Sequence, residues 1–218
     1  MTTLRLLNSS AEVSPADLSS IVPALQTSLG QVAAAWGIDT PTVIAGSDGQ
    51  AASDWLLALT DDTPEPGDLG YHTDLGVPNA VIQVTETLGY GGSILQPGSG
   101  NPAVSAVVSH EAAEMLVDPL ATMYVPLLGS TSQVAMEVCD PVQGDAYDIG
   151  EVSMSDFVTP GWFLNVGKAD QLGVATGSKL RPGGYYVLKA EDGSTSSVMG
   201  ERCGGLWKVR AQRHGRRR

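Results

Sequence analysis

Apolar residues along the first half of the chain recur with two periods, and polar clusters mark where one gives way to the other. Leu4 to Leu7 is a short apolar block that reads as a first strand. Ser14-Pro15-Ala16-Asp17 then supplies an N-cap serine, a proline at the first helical position and an acid in the first turn. This predicts a helix from there to about Trp36, stopped by Gly37, with Pro23 kinking it or splitting it in two. Thr42 to Ala45 and Trp55 to Leu59 read as further strands, and TDDTPEPGDLGYH (60–72) as a polar loop rich in proline and glycine. In NAVIQVT, Asn79 to Thr85, the residues Ala80, Ile82 and Val84 share one face, as in a strand. The glycine-rich stretch GYGGSILQPGSGNP (89–102) lacks the Gly-Lys-Ser/Thr of a phosphate-binding loop and reads as a flexible connection. Asn101 as cap and Pro102 as first residue open a second helix over 102–117, stopped by Asp118-Pro119.

Beyond Pro119 the pattern is mostly strand and loop. EVCDPVQGDAYDI leads into GEVSMSDFVTPGWF, a strand or hairpin pair. Tyr185–Lys189 against Ser196–Met199 reads as a hairpin turning near Asp192-Gly193. The element order predicts an α+β fold: a small mixed sheet with two main helices, followed by a half rich in strands and loops. The expected organisation is a core over 1–163, a hairpin- and loop-rich part over 164–207 packed on it, and a basic tail over 208–218.

Charge sharpens this division. The net charge of -12 conceals a separation: Arg5 is the sole Lys or Arg up to Gly167, while seven of the twelve basic residues lie between Arg202 and Arg218. An acidic body repels nucleic acid and anionic membrane, so no specific nucleic-acid binding is expected; the tail alone suits phosphate or an acidic partner. No apolar run approaches the ~20 residues of a membrane span. MTTLRLLNSSAEVS lacks the pattern of a secretory signal, so the expectation is a soluble chain, cytoplasmic or virion-associated. Cys139 and Cys203 permit one bridge, but two reduced thiols suit this setting better.

The chemistry concentrates in SHEAAEMLVDP, Ser109 to Pro119. With about 100° per residue, Glu114 falls at about 40° from His110, Asp118 at about 80° and Glu111 at about 100°. One helical sector thus holds three acids and a histidine with no Lys or Arg, and a cation would relieve their repulsion. His110 and Glu114, one turn apart, can reach a common ion. Glu111 occupies the place of the water-activating base in the HExxH pattern. Asp118 lies roughly 12 Å along the axis from His110, too far to share that ion directly, and is assigned to the outer shell or to the helix end. A catalytic zinc wants three protein ligands. The third is sought in AMEVCDPVQGDAYDIGE, where Glu137 and Asp140 are the best choices and spacing does not separate them; Cys139, Asp145, Asp148 and Glu151 rank lower. Tyr124 and Tyr147 are read as packing residues with a chance of assisting an oxyanion. His72 reads as loop surface, and His214 has no partner spacing.

SHEAAEMLVDP followed by EVCDPVQGDAY and VSMSDFVTPGWF resembles a group of uncharacterised bacterial and bacteriophage proteins. Their pattern is a His-Glu-x-x-Glu helix ending in Asp-Pro, then Glu-x-Cys-Asp-Pro, then Ser-Asp-Phe-x-x-Pro-x-(Trp/Tyr)-Phe. More distantly the chain is similar to HExxE proteins of the zincin type. The resemblance covers roughly 101–163. It implies a zincin-like domain in which His110 and Glu114 bind the metal, Glu137 or Asp140 completes the site, and Glu111 is the base. The expected function is a zinc-dependent hydrolase, a peptidase acting on a peptide or protein through Glu111 and metal-bound water. An extended substrate would lie along NAVIQVT. Two carboxylates at the ion make it less electrophilic than His-His-Glu would, so Mn²⁺ or Ca²⁺ also suit it. The alternative is a virion structural or accessory protein of zincin-like fold with vestigial catalysis, making assembly contacts through its basic tail.

Overall fold

A computed structural model describes residues 2–97, 101–126 and 131–200; Cys203, His214 and the basic tail lie outside the described residues. The chain opens with β1 (Thr3–Asn8), α1 (Pro15–Trp36), β2 (Thr42–Ala45), β3 (Trp55–Thr60), β4 (Gly70–Asp74) and β5 (Pro78–Gln83). These five strands form one sheet in the order β2-β1-β3-β5-β4. Four run parallel, and β4 pairs antiparallel with β5 at the edge, His72 opposite Ala80. The parallel strands are read most easily because their inward residues Leu4, Leu6, Leu57, Leu59 and Ile82 are fully buried. Burial of each such side chain contributes about 1.5–3 kcal/mol.

Helix α1 begins as its residues dictate. Ser14 accepts from the Asp17 backbone N–H, the Asp17 carboxylate accepts from Ser14 N–H, and Gly37 closes the helix in the left-handed region at φ 67°. Pro23 neither splits nor ends α1, which continues as one element through it. Ile21, Leu25, Leu29 and Val32 form its buried stripe at intervals of four, four and three residues, over the sheet.

Next come α2 (Val84–Gly89) and α3 (Val104–Val117). NAVIQVT is therefore a strand only to Gln83, and Val84 and Thr85 already belong to a helix. α3 packs on α1, β4 and β5. Then follow β6 (Tyr124–Pro126), β7 (Gln133–Ala135), a 3-10 turn (Asp140–Val142), β8 (Ala146–Ile149), β9 (Val152–Ser155), α4 (Pro160–Leu164), β10 (Tyr185–Lys189) and β11 (Thr195–Met199). β8 and β9 make the hairpin expected of GEVSM and its flank, while Pro160-Gly161-Trp162-Phe163 is helical. β10 and β11 pair Tyr185 with Met199, and β10 also joins β7 in an antiparallel sheet ordered β11-β10-β7-β6. The C-terminal hairpin is thereby built into the body. The fold is α+β, and no described helix is long and apolar enough to cross a membrane.

Arg5 lies inside this body, 5% exposed. It donates to Asp54 Oδ2 at 2.5 Å and to the carbonyls of Gly46, Asp48 and Gly49. The one cationic side chain of the first 167 residues is thus spent on tying β1 to the loop between β2 and β3.

Candidate metal centre

Helix α3 is anchored at both ends by groups outside it. Its cap is the backbone of Ala103, two residues past the predicted Asn101. Ser93 and Ile94 carbonyls accept from Val104 and Ser105 N–H at 2.8 and 2.9 Å, so the start of the glycine-rich connection serves as a cap. Ser105 Oγ donates to Ser153 O, and Ser109 Oγ accepts from Ser155 N–H, both at 2.8 Å, fixing α3 to β9. At the C-terminal end Asp118 Oδ2 accepts from Met123 N–H at 2.6 Å and turns the chain back. The polar sector of α3 is inside the molecule: Glu111, Glu114 and Asp118 are at most 6% exposed. Three buried acids in a small volume are costly unless paired with cations or protons.

The chain returns to this sector after β7. Glu114 Oε1 accepts from the N–H groups of Cys139 and Asp140 at 3.1 and 3.2 Å, which brings EVCDP onto the helix. His110 Nε2 then lies 3.4 Å from Glu114 Oε1 and 3.4 Å from Asp140 Oδ1. On the other side of Glu114, Oε2 is 3.8 Å from His72 Nδ1; Glu111 Oε2 is 3.5 Å from that same nitrogen, and Glu137 Oε2 is 3.6 Å from His72 Nε2. These separations exceed ordinary hydrogen bonds to carboxylates, 2.7–2.9 Å. Two donors held 2.0–2.2 Å from one tetrahedral ion lie roughly 3.3–3.6 Å apart. Two groups of three donors, His110/Glu114/Asp140 and His72/Glu114/Glu137, each have their ligand atoms within 4.8 Å of one another. Buried His, Glu and Asp side chains in these groups can hold a divalent cation.

The electrostatics agree with a site short of positive charge. Burial pushes Glu114 well above the carboxylate range, reinforced by Asp140, Glu137 and Glu111 and opposed by the Cys139 N–H. Asp140 is raised by burial, against the hydrogen bond and charge of His110. Burial disfavours a charged His72, yet Glu137, Glu111 and Asp118 outweigh it and lift the imidazole to about 9. His110 is raised in the same way, by its hydrogen bond with Asp140 and by the neighbouring acids, against its burial. A divalent cation bound here would compete with protons for both imidazoles.

A cavity of about 410 Å³ opens onto His110 and Glu111, walled by Leu69, Gly70, Pro102, Ala106 and Val107 and by Gln143, Ser153 and Ser155. Gly70 fits closely there: a Cβ would sit 3.0 Å from Glu111 Cγ and Val107 Cγ1, so both side chains would have to give way. The absence of that Cβ lets the edge strand β4 lie against Glu111.

The structure brings together His110, Glu111, Glu114, Glu137 and Asp140, the last two in different donor groups. Asp118 lies at the helix end, beside His72. Asp145 is instead bound by Arg181 at 2.7 Å, and Asp148 and Glu151 are exposed. Cys139 is buried and contributes its backbone, with its thiol pushed up by burial. Tyr147 bonds Ser28 at 3.0 Å, and Lys189 lies over the Tyr124 ring. Two residues enter that the sequence reading left out. His72 is on strand β4, with its side chain 4% exposed, and not on a loop. The signal for it was Asp74-Leu75-Gly76, a glycine-containing turn between two strand-like runs. Tyr185, from β10, is hydrogen-bonded to Asp140 and kept protonated by burial and by that acid. The extended strand expected at the edge also shifts: β5 lies between β3 and β4, and β4 is the edge.

The Ser-Asp-Phe segment has a structural role. Asp156 is fully buried; its Oδ1 accepts from Phe157 and Leu172 N–H. Its other oxygen has no hydrogen-bond partner, and the buried Asp170 carboxyl nearby favours a proton on Asp156. Comparison with family models, with curated proteins and with solved structures gives no match for the chain.

Proposed function

We propose that the protein is a divalent-metal-dependent hydrolase of the zincin type, with zinc the first candidate ion and a peptide or protein the substrate. The observation that carries this reading is the convergence of His110, Glu114 and Asp140 within ligand spacing, with His110 and the adjacent Glu111 lining one cavity. The mixed sheet with two long helices, the second carrying HExxE beneath an antiparallel edge strand, supports the fold side of it. A bound divalent ion supplies Lewis acidity toward a carbonyl oxygen and toward water. Glu111, facing the cavity and braced by His72, takes the proton from a water there and returns it to the leaving amine. His110, Glu114 and Asp140 fix the ion, and Asp140 is itself oriented by the Tyr185 hydroxyl. An extended peptide pairs with the outer edge of β4, whose backbone faces outward beyond β5.

The test is metal content and turnover together. Protein purified without chelator should carry metal, and Glu114→Ala should lose it. Glu111→Gln should keep the metal and lower hydrolysis of a casein or peptide-library substrate by about 10²–10⁴-fold. Absence of bound metal in the wild type, or unchanged turnover in Glu111→Gln, would overturn the reading.

A further inference from the structure

Glu114 faces two ways. Its Oε1 lies toward His110 and Asp140, and its Oε2 toward His72, with Glu137 beyond that imidazole. The two donor groups share Glu114 and no other residue. We propose that the cluster is a dinuclear site in which Glu114 bridges two divalent cations, one held by His110 and Asp140 and the other by His72 and Glu137. The proposal rests on the metal-binding reading above and extends it from one ion to two.

Three observations carry it. First, His72 Nε2 is buried with no hydrogen-bond partner, on a side chain 4% exposed, and Glu137 Oε2 is 3.6 Å away. A buried ring nitrogen left so is what a ligand position looks like before its ion arrives. Second, the two donor groups together supply three carboxylates and two histidines, with Glu111 a fourth carboxylate beside them, 3.5 Å from His72. That is the set which paired helices supply in carboxylate-bridged two-metal proteins. Third, Glu111, Glu114, Glu137 and Asp140 with neutral imidazoles carry four negative charges and Asp118 adds a fifth nearby, so a single divalent cation leaves more buried charge uncompensated than two would. Glu111 then stands beside both ions, next to the cavity. A second divalent cation would offset the weak electrophilicity of a carboxylate-rich centre by adding positive charge beside the attacking water and the substrate carbonyl oxygen.

The experiment is a stoichiometry measurement on the full chain. Chelator-stripped protein is dialysed against Zn²⁺ and, separately, Mn²⁺, and bound metal is counted by mass spectrometry. Two ions per chain are expected in the wild type and one in His72→Asn. Should His72→Asn fail to fold by circular dichroism, Glu137→Gln replaces it, with the same expectation. The Mn²⁺ form should give an exchange-coupled electron paramagnetic resonance spectrum, replaced by an isolated six-line signal in His72→Asn. One ion in the wild type, lost in His110→Asn and kept in His72→Asn, would overturn the dinuclear proposal and leave the single-ion reading standing. No bound ion would overturn both.

Discussion

Replacing Asp156 by asparagine isolates one buried charge whose sign and size follow from its surroundings. Asp156 and Asp170 are both fully buried, each leaves one carboxyl oxygen without a partner, and the charge of Asp170 acts on Asp156. Asp156 Oδ1 already accepts two backbone N–H groups, and Asp170 Oδ2 accepts those of Val174 and Ala175. Burial, and then the charge of Asp170, raise Asp156 from 3.8 to about 7. The folded state therefore holds a proton that the unfolded chain has released. Stability from this group is full below about pH 4 and is lost as pH rises through about 7. Three units at ~1.4 kcal/mol each set the loss at no more than about 4 kcal/mol. In Asp156→Asn the amide keeps the oxygen for Phe157 and Leu172 and offers its N–H to Asp170, so no proton is released. Urea unfolding at pH 4, 5, 6, 7 and 8 in the presence of chelator should find the two proteins most alike at pH 4 and diverging from there up to about pH 7. The variant should be the more stable by up to about 4 kcal/mol at pH 8. A difference that does not change with pH would refute the proton on Asp156, and a variant less stable at pH 8 would refute the direction.

Chelator treatment should lower the thermal midpoint of the wild type and leave Glu114→Ala unmoved; at a free metal level 100 times Kd the loss is about 2.7 kcal/mol. Gly70→Ala should slow hydrolysis while calorimetry finds a stability cost of about 1–3 kcal/mol, since its Cβ meets Glu111 and Val107 at 3.0 Å.

The parts legible in sequence are those that local chemistry decides. Ser14, Pro15 and Gly37 sit at the ends of α1 because caps act within a turn of where they are written. Spacing along one helix likewise put His110, Glu111 and Glu114 on a common sector, and the short connection brought EVCDP back to it. Three things were not legible because they depend on partners distant in the chain. The acid sector of α3 is internal, since β4, β9 and the 137–140 segment cover what resembles a solvated face. His72 faces the cluster because β4 pairs antiparallel at the edge, a register that its own five residues do not encode. Tyr185 arrives on a strand 45 residues after Asp140, carried in by the pairing of β10 with β7. The end of NAVIQVT was misread because Val84 and Thr85 have strand-like side chains while the following turn draws them into α2.

The burial of Arg5 makes trypsin a selective probe of this protein. Between Arg5 and Lys168 there is no residue after which the protease cuts, so residues 6–168 can only be released as one piece. Lys168 is exposed on a loop and open to attack in the folded chain. Arg5 lies within β1, paired on both sides and clasped by Asp54, so it is cut only when that strand leaves the sheet. The rate at which the fragment 6–168 appears thus times the opening of the sheet itself, without labels or engineered sites.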